Sequence, residues 1–394
     1  MSTQGDPMSQ QMEFRIDGAC DPAFAHVREV FAENFRSRGE LGAAVCVYRE
    51  GRKVVDLWGG IADPESATPW REDTITCMMS VGKSMAALAV LMLVDDGRID
   101  LQAPVSRYWP EFAQNGKERI TVRMLLGGLA GVIYADATPD GSAYDWEVIC
   151  CAIAAQKPEW EPGTQGAYHS FTGGYLLGEL VRRVDGRMID VFFHQEIARP
   201  LGVDYGFGVA AADLPRVART IPNPDGVTLT QSQNASTKLG RAWRPWPKYP
   251  CPFNSADFRT AVMPSSNGHG NARAVARVYA LLERGGALDG VRLISPALVE
   301  AIRKESWAGT CGMTDRPFRY GLGFFLNCPP LVPLGANPRA FGHPGAGGAI
   351  GVADPEAGLA MSYSPNLMCA GAGVGDRCEA LVEAVLGASA PINP

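Results

Sequence analysis

The chain has 394 residues, 46% of them hydrophobic, enough to bury one large core or two, and about 150 residues per domain suggests two or three units. A net charge of −6, with the charges scattered, leaves no basic stripe for nucleic acid and points to a small-molecule partner. The longest apolar run, about ten residues from Met85, falls short of the ~20 that span a bilayer, so no membrane role and a soluble cytoplasmic protein are expected.

Met1 to Arg15 is polar and lacks the apolar centre of a secretory signal, so residues 1–20 read as a loose leader. Asp21-Pro22 opens an amphipathic helix through Phe24, Val27, Val30, Phe31 and Phe35 that ends near Gly39. Leu41 to Arg49 and Lys53 to Trp58 are β-rich and flank Glu50-Gly51-Arg52, a hairpin signal. A loop from Gly59-Gly60 to Asp73 then delivers the chain to Ser80. Ala86 to Val94 is apolar all round, which predicts a buried helix, and Gly97 is a suitable stop.

To about residue 205 the signals are mostly helical: a short helix ending in the turn Gly127 to Gly131, then Trp146 to Ala155, Gly174 to Val184 and Met188 to Ala198. Residues 206–265 are rich in proline and carry Trp243, Trp246, Tyr249 and Phe253. That is too apolar for a solvated linker, and it predicts an ordered irregular cap facing substrate. Asn267-Gly268-His269-Gly270 caps a helix from Ala272 to Leu282, and Tyr320 to Leu326, Ala349 to Ala353 and Gly358 to Tyr363 are short strands. A helix from Arg377 to Leu386 closes the chain. The expected architecture is a mixed α/β (α+β) fold: a sheet domain from 21–78 and 266–394, with a helical domain, 79–265, inserted and the cap at about 206–265 inside it.

Ten cysteines (20, 46, 77, 150, 151, 251, 311, 328, 369 and 378) form no Cys-x-x-Cys pair and sit among apolar neighbours, as buried thiols do. The five histidines do not approach metal-ligand spacing, and neither metal nor cofactor is implied. The chemistry lies in Ser80-Val81-Gly82-Lys83. Serine and lysine three apart at a helix start share a face, so the amine reaches the hydroxyl, and free N–H groups there favour a developing anion. Gly82-Lys83-Ser84 imitates a phosphate loop, but Cys77 stands where that motif needs glycine. The plainer alternative makes Ser80 a helix cap and Lys83 a solvated side chain.

Four segments carry a resemblance: Ser80 to Lys83; Tyr168-His169-Ser170 after Trp160-Glu161-Pro162-Gly163; Asn267 to Arg273; and Phe341-Gly342-His343-Pro344-Gly345-Ala346-Gly347-Gly348 before Asp354-Pro355-Glu356. Their order and spacing, over about residues 25–385, resemble the serine β-lactamase and penicillin-binding-protein superfamily, in the class C-like branch that contains the family VIII carboxylesterases. The resemblance implies a β-lactamase-like fold, an antiparallel sheet flanked by helices with an inserted, mostly α-helical domain. It implies Ser80 as the acylated nucleophile, Lys83 and Tyr168 sharing the general-base work, and the backbone N–H groups of Ser80 and Ala346 as the oxyanion hole. Which of Lys83 and Tyr168 takes the proton stays open. Ser170, His343 and Gly345 would contact substrate, and no metal takes part.

Two departures bear on substrate. His343 stands where β-lactamases and peptidases place a lysine that helps to hold a carboxylate, which argues for neutral esters. Ser170 replaces the amide of the Tyr-x-Asn pattern. The turn Gly127 to Gly131 also lacks the Ser-His pair common in relatives. The expected activity is hydrolysis of small to medium carboxylic esters through an acyl-Ser80 intermediate, with a small-molecule ester as partner. The alternatives are an acyltransferase, an amide or β-lactam hydrolase on the same scaffold, and a catalytically silent binding homologue. Oligomeric state is not legible.

Overall fold

The computed structural model describes residues 14–226, 231–246, 252–371 and 373–389. A ten-stranded sheet joins the two ends of the sequence. Across it run Ile16–Cys20, Arg52–Asp63, Gly42–Arg49, Leu359–Pro365, Ile350–Asp354, Phe341–Pro344, Phe325–Leu326, Pro317–Tyr320 and Trp307–Thr310, each antiparallel to its neighbour, with Thr68–Pro69 pairing off this path. The hairpin expected at Glu50-Gly51 forms, with both residues at positive φ (51° and 76°), the turn geometry that follows strand twist. The seam between the chain ends is Leu359–Pro365 against Gly42–Arg49, paired from Leu359↔Arg49 to Pro365↔Ala43.

Gly42 to Tyr48 and Leu359 to Pro365 are buried without alternation, as in strands covered on both faces. The Ala272–Glu283 helix lies against both and against Ile350–Asp354, while α1 (Ala25–Ser37) packs with the closing helix Gly375–Ser389. Beyond the sheet come α2 (Val81–Asp95), α3 (Val122–Leu126), α4 (Trp146–Ala155) and α5 (Thr172–Asp185). α2 is buried on nearly every side, as its unbroken apolar run requires, and it touches both α5 and the strand Phe341–Pro344. It therefore bridges the helices and the sheet. No helix among the described residues is long and apolar enough to cross a membrane.

Some expectations need correction. Ile16–Cys20, read as leader, is an edge strand with Ile16 opposite Gly59 and Cys20 opposite Val55. Its letters alternate poorly, and its pairing comes from the partner strand. The single strand expected over Tyr320 to Leu326 is two, Pro317–Tyr320 and Phe325–Leu326, separated by a turn with Gly323 at φ +81°. The helix expected from Met188 begins at Ile189, widens into a π-type turn over His194–Ala198 and continues through Arg199–Leu201. The cap is less irregular than its prolines suggest. It contains the short helices Lys238–Ala242 and Ala256–Thr260, and Trp246 meets Trp243 and Phe258 edge to face at 5.1 and 5.2 Å. Tyr249 lies outside the described residues.

Candidate active site

The short strand Thr76–Cys77 pairs with Gly268–Gly270 and leads directly to Ser80. Between them Met79 adopts φ 49°, a left-handed conformation that costs a side-chain-bearing residue about 1–3 kcal/mol. The turn sets Ser80 at the head of α2, where its hydroxyl makes no capping bond to the helix. One turn on, Lys83 is only 3% exposed. Its Nζ lies 3.0 Å from Ser80 Oγ and donates to the Ser265 carbonyl at 2.7 Å. Neither half of the plainer alternative holds: Ser80 is no cap and Lys83 is not solvated.

Gly82 explains the presence of Ser265. A Cβ at Gly82 would lie 2.4 Å from the Pro264 carbonyl, so only glycine lets the Pro264-Ser265 backbone press against α2 beside Lys83. The Ser265 hydroxyl, donating to the Phe171 carbonyl at 2.6 Å and accepting from the Gly174 N–H at 2.7 Å, fixes the same segment to the start of α5.

Tyr168 completes the cluster. Its hydroxyl is hydrogen-bonded to Ser80, and its ring lies 4.9 Å from Lys83 Nζ. Burial drives the Lys83 pKa well below its ordinary value, with no carboxylate to oppose it. Burial also raises the Tyr168 pKa, which the Ser80 hydrogen bond only partly offsets. Both shifts favour the neutral pair, an amine and a phenol. Of the two, the amine is the one that can accept a proton near neutral pH.

On the opposite wall Gly345 presses its Cα against the Met78 carbonyl, where a Cβ would come within 2.4 Å, and its N–H donates to the Ala349 carbonyl at 2.6 Å. Ala346 follows at the wall of the cavity that Ser80 faces. Among the described residues no backbone acceptor engages the N–H of Ser80 or of Ala346. Two donors of residues that border the same cavity are thus uncommitted, a condition that an oxyanion hole imposes.

His343 is not where the substrate-contact reading put it. Its side chain is fully buried, packed edge to face on Phe325 at 5.0 Å and tilted against Tyr168 at 5.9 Å, with Nδ1 held by the Pro344 carbonyl at 2.7 Å. Burial, with Lys83 nearby, pushes its pKa down to about 3, so it brings no cation to the cavity. Strand alternation leaves it off the lining of the cavity, and Tyr168 and Phe325 cover that face. Ser170 does border the cavity, where its hydroxyl accepts from Trp243 Nε1 at 2.8 Å and keeps its own proton to donate.

The cavity measures about 370 Å³. Tyr168, Trp243, Trp246, Phe253, Phe318 and Phe325 give it an aromatic lining, and no aspartate or glutamate is among its described lining residues. Sequence reasoning missed Met79, whose strain has no letter signature, and Ser265, which contributes a carbonyl that any residue could supply.

The beta-lactamase family model matches residues 27–378. The chain belongs to the beta-lactamase family. It is 34% identical over 367 residues to the Mycobacterium tuberculosis esterase/beta-lactamase LipL, covering 89% of this chain and 83% of LipL. A crystal structure of a family VIII carboxylesterase superposes with a TM-score of 0.86 at 38% identity, covering 95% of this chain and 100% of that one. A penicillin-binding-protein homologue from Caulobacter crescentus gives 0.85 at 37%, with the same coverage. The antiparallel sheet flanked by helices is thus this family's fold, and Ser80 and Tyr168 border its cavity with Lys83 Nζ 3.0 Å from Ser80 Oγ.

Proposed function

We propose that the protein is a serine carboxylesterase that cleaves small to medium esters through an acyl-Ser80 intermediate. The observation that carries this reading is a Ser80 hydroxyl 3.0 Å from a buried lysine with no carboxylate partner, at the wall of an apolar cavity. The name of LipL and that of the family VIII carboxylesterase structure support the same chemistry.

In this reaction the Ser80 proton passes to the Lys83 amine as Oγ bonds to the ester carbonyl carbon. The carbonyl electron pair moves onto oxygen, facing the Ser80 and Ala346 N–H groups. Collapse restores the carbonyl and expels the alkoxide, which takes the Tyr168 proton, and the Lys83 ammonium returns a proton to Tyr168. Water then repeats the sequence in place of Ser80, its proton again taken by the neutral amine. An apolar, aromatic cavity accommodates an acyl chain or a neutral alcohol group; the uncharged His343 supplies no cation beside Tyr168, and the cations that do border the cavity are Arg244, paired with Asp140, and Arg316. A cytoplasmic location belongs to the same proposal: no disulfide joins any of the described cysteines, which suits a reducing compartment.

The test is hydrolysis of p-nitrophenyl acetate and butyrate by wild type and Ser80→Ala. Loss of at least roughly a thousandfold in kcat is expected, and a fluorophosphonate adduct on Ser80. Unchanged turnover, or an adduct on another serine, overturns the assignment. Nitrocefin turnover matching that of the esters would move the substrate class to β-lactams.

A further inference from the structure

Beside Lys83 lies a second cavity of about 30 Å³, here the rear cavity, which shares Tyr168 with the first. Lys83, Gly128, Ala167, His169, Leu176 and Tyr320 border it. A water needs roughly 10–15 Å³ and at least two polar partners, so size alone decides nothing. The partners do. His169 is 7% exposed, its Nδ1 is held by the Ala167 carbonyl at 3.0 Å, and its Nε2 has no hydrogen-bond partner. A carbonyl acceptor at Nδ1 puts the proton there and leaves a lone pair on Nε2. Burial, with Lys83 nearby, lowers the His169 pKa to about 4, which keeps that lone pair free.

The count on Lys83 points to the same place. When the amine takes the Ser80 proton it carries three N–H donors. Two have acceptors, the Ser265 carbonyl at 2.7 Å and Ser80 Oγ at 3.0 Å. In the resting arrangement no oxygen or nitrogen among the described residues accepts the third, and only the Tyr168 ring faces Nζ, at 4.9 Å, in a setting where an unsolvated ammonium is expensive. We infer that the rear cavity is a water site, and that His169 is a positioning residue acting through that water. The water donates to His169 Nε2 and accepts the third N–H of Lys83. It solvates the ammonium while it lasts and takes no proton from it, so the ammonium still returns its proton to Tyr168.

The groups facing Lys83 from the surrounding elements are Ser80, Tyr168, His169, the Ser265 carbonyl, His343 and Tyr320; none is a carboxylate. His343 also has an unpartnered Nε2, but it does not border this cavity.

The inference rests on Ser80 being acylated, so its readout is the pH dependence of fluorophosphonate capture as well as ester turnover. His169→Leu removes the acceptor. Gly173→Ala fills the cavity while His169 stays: its methyl would sit 3.4 Å from His169 Cβ and 3.6 Å from Lys83 Cε, ordinary contacts, on a helical residue where alanine is favoured. Both variants should lower the plateau rate roughly tenfold, the order seen when the partner supporting a reactive group is lost. Both should also move the acid limb to lower pH, because an ammonium without its water has a lower pKa. His169→Gln, whose side-chain oxygen can reach the Nε2 position, should restore rate and limb to within about threefold of wild type. A Gly173→Ala enzyme with wild-type rate and acid limb overturns the water site, even if His169→Leu fails to fold. A glutamine variant as impaired as leucine overturns the role of Nε2. Failure of the esterase reading looks different: Ser80 captured by the probe but no ester turned over.

Discussion

Lys83 and Arg377 are both cations removed from water, and their surroundings are opposite. Arg377, with a 5% exposed side chain, donates at 2.7 Å to the fully buried Glu40 carboxylate, which also accepts the Tyr363 hydroxyl. That network ties the loop before Gly42–Arg49 to the closing helix. Lys83, equally buried, faces carbonyl and hydroxyl oxygens and no carboxylate. The pair keeps the Arg377 guanidinium charged and opposes the burial that pushes the Glu40 carboxyl up, whereas a buried lysine without a partner is driven towards the neutral amine, the form a general base needs. Charge pairing separates the group that holds the fold together from the group we propose as the base.

Lys83→Met should break this contrast most visibly. Ester turnover should fall by about 10²–10⁴-fold, the usual contribution of a general base. Stability should hold or rise, since an unpaired buried amine is replaced by an apolar chain of similar length. Thermal melting beside kcat measures both, and a variant that melts well below wild type would mean that Lys83 is structural. Arg377→Met should do the reverse. Stranding Glu40 should cost about 3–5 kcal/mol in urea unfolding, with kcat per folded molecule unchanged. A drop in kcat would show that the two buried sites are coupled.

The legible and illegible parts of the molecule divide along physical lines. Ser80 and Lys83 could be read because helical spacing brings i and i+3 together, and the Glu50-Gly51 hairpin because its turn demands particular residues. Tyr168 and Ala346 came through resemblance, not through any local pattern. The Ser265 carbonyl could not be read: it reaches Lys83 across 182 positions of sequence with an atom every residue has. Nor could the burial of His343, since alternation along Phe341–Pro344 says which residues share a face and not that Tyr168 and Phe325 cover it.

The pH dependence sharpens the comparison further. Lys83 has a folded-state pKa below its unfolded value near 10.4, so the unfolded chain binds more protons between the two. Burying it therefore lowers stability most below the folded pKa, and the penalty fades as pH rises towards the unfolded value. Lys83→Met should gain most over wild type at pH 7 and least near pH 10, in melts run across that range. Activity should follow the same ionisation, falling as pH drops through the depressed Lys83 pKa, with no corresponding limb near 10.4. A gain in stability independent of pH would mean that Lys83 keeps an ordinary pKa in the folded protein.

The smallest effect is expected where the cap meets the cluster. Trp243 donates to Ser170 at 2.8 Å and meets Phe171 and Trp246 edge to face at 5.3 and 5.1 Å, so it joins the aromatic wall to the residue two after Tyr168. Trp243→Phe keeps a ring in place and removes one hydrogen bond, worth about 0.5–1.5 kcal/mol, so KM for p-nitrophenyl butyrate should rise about two- to tenfold with kcat unchanged. The acetate ester, with less chain to bury, should respond less. A fall in kcat at constant KM would place the indole's hydrogen bond among the contacts that tighten only in the transition state. The cap would then belong with Lys83 and not with the passive walls of the cavity.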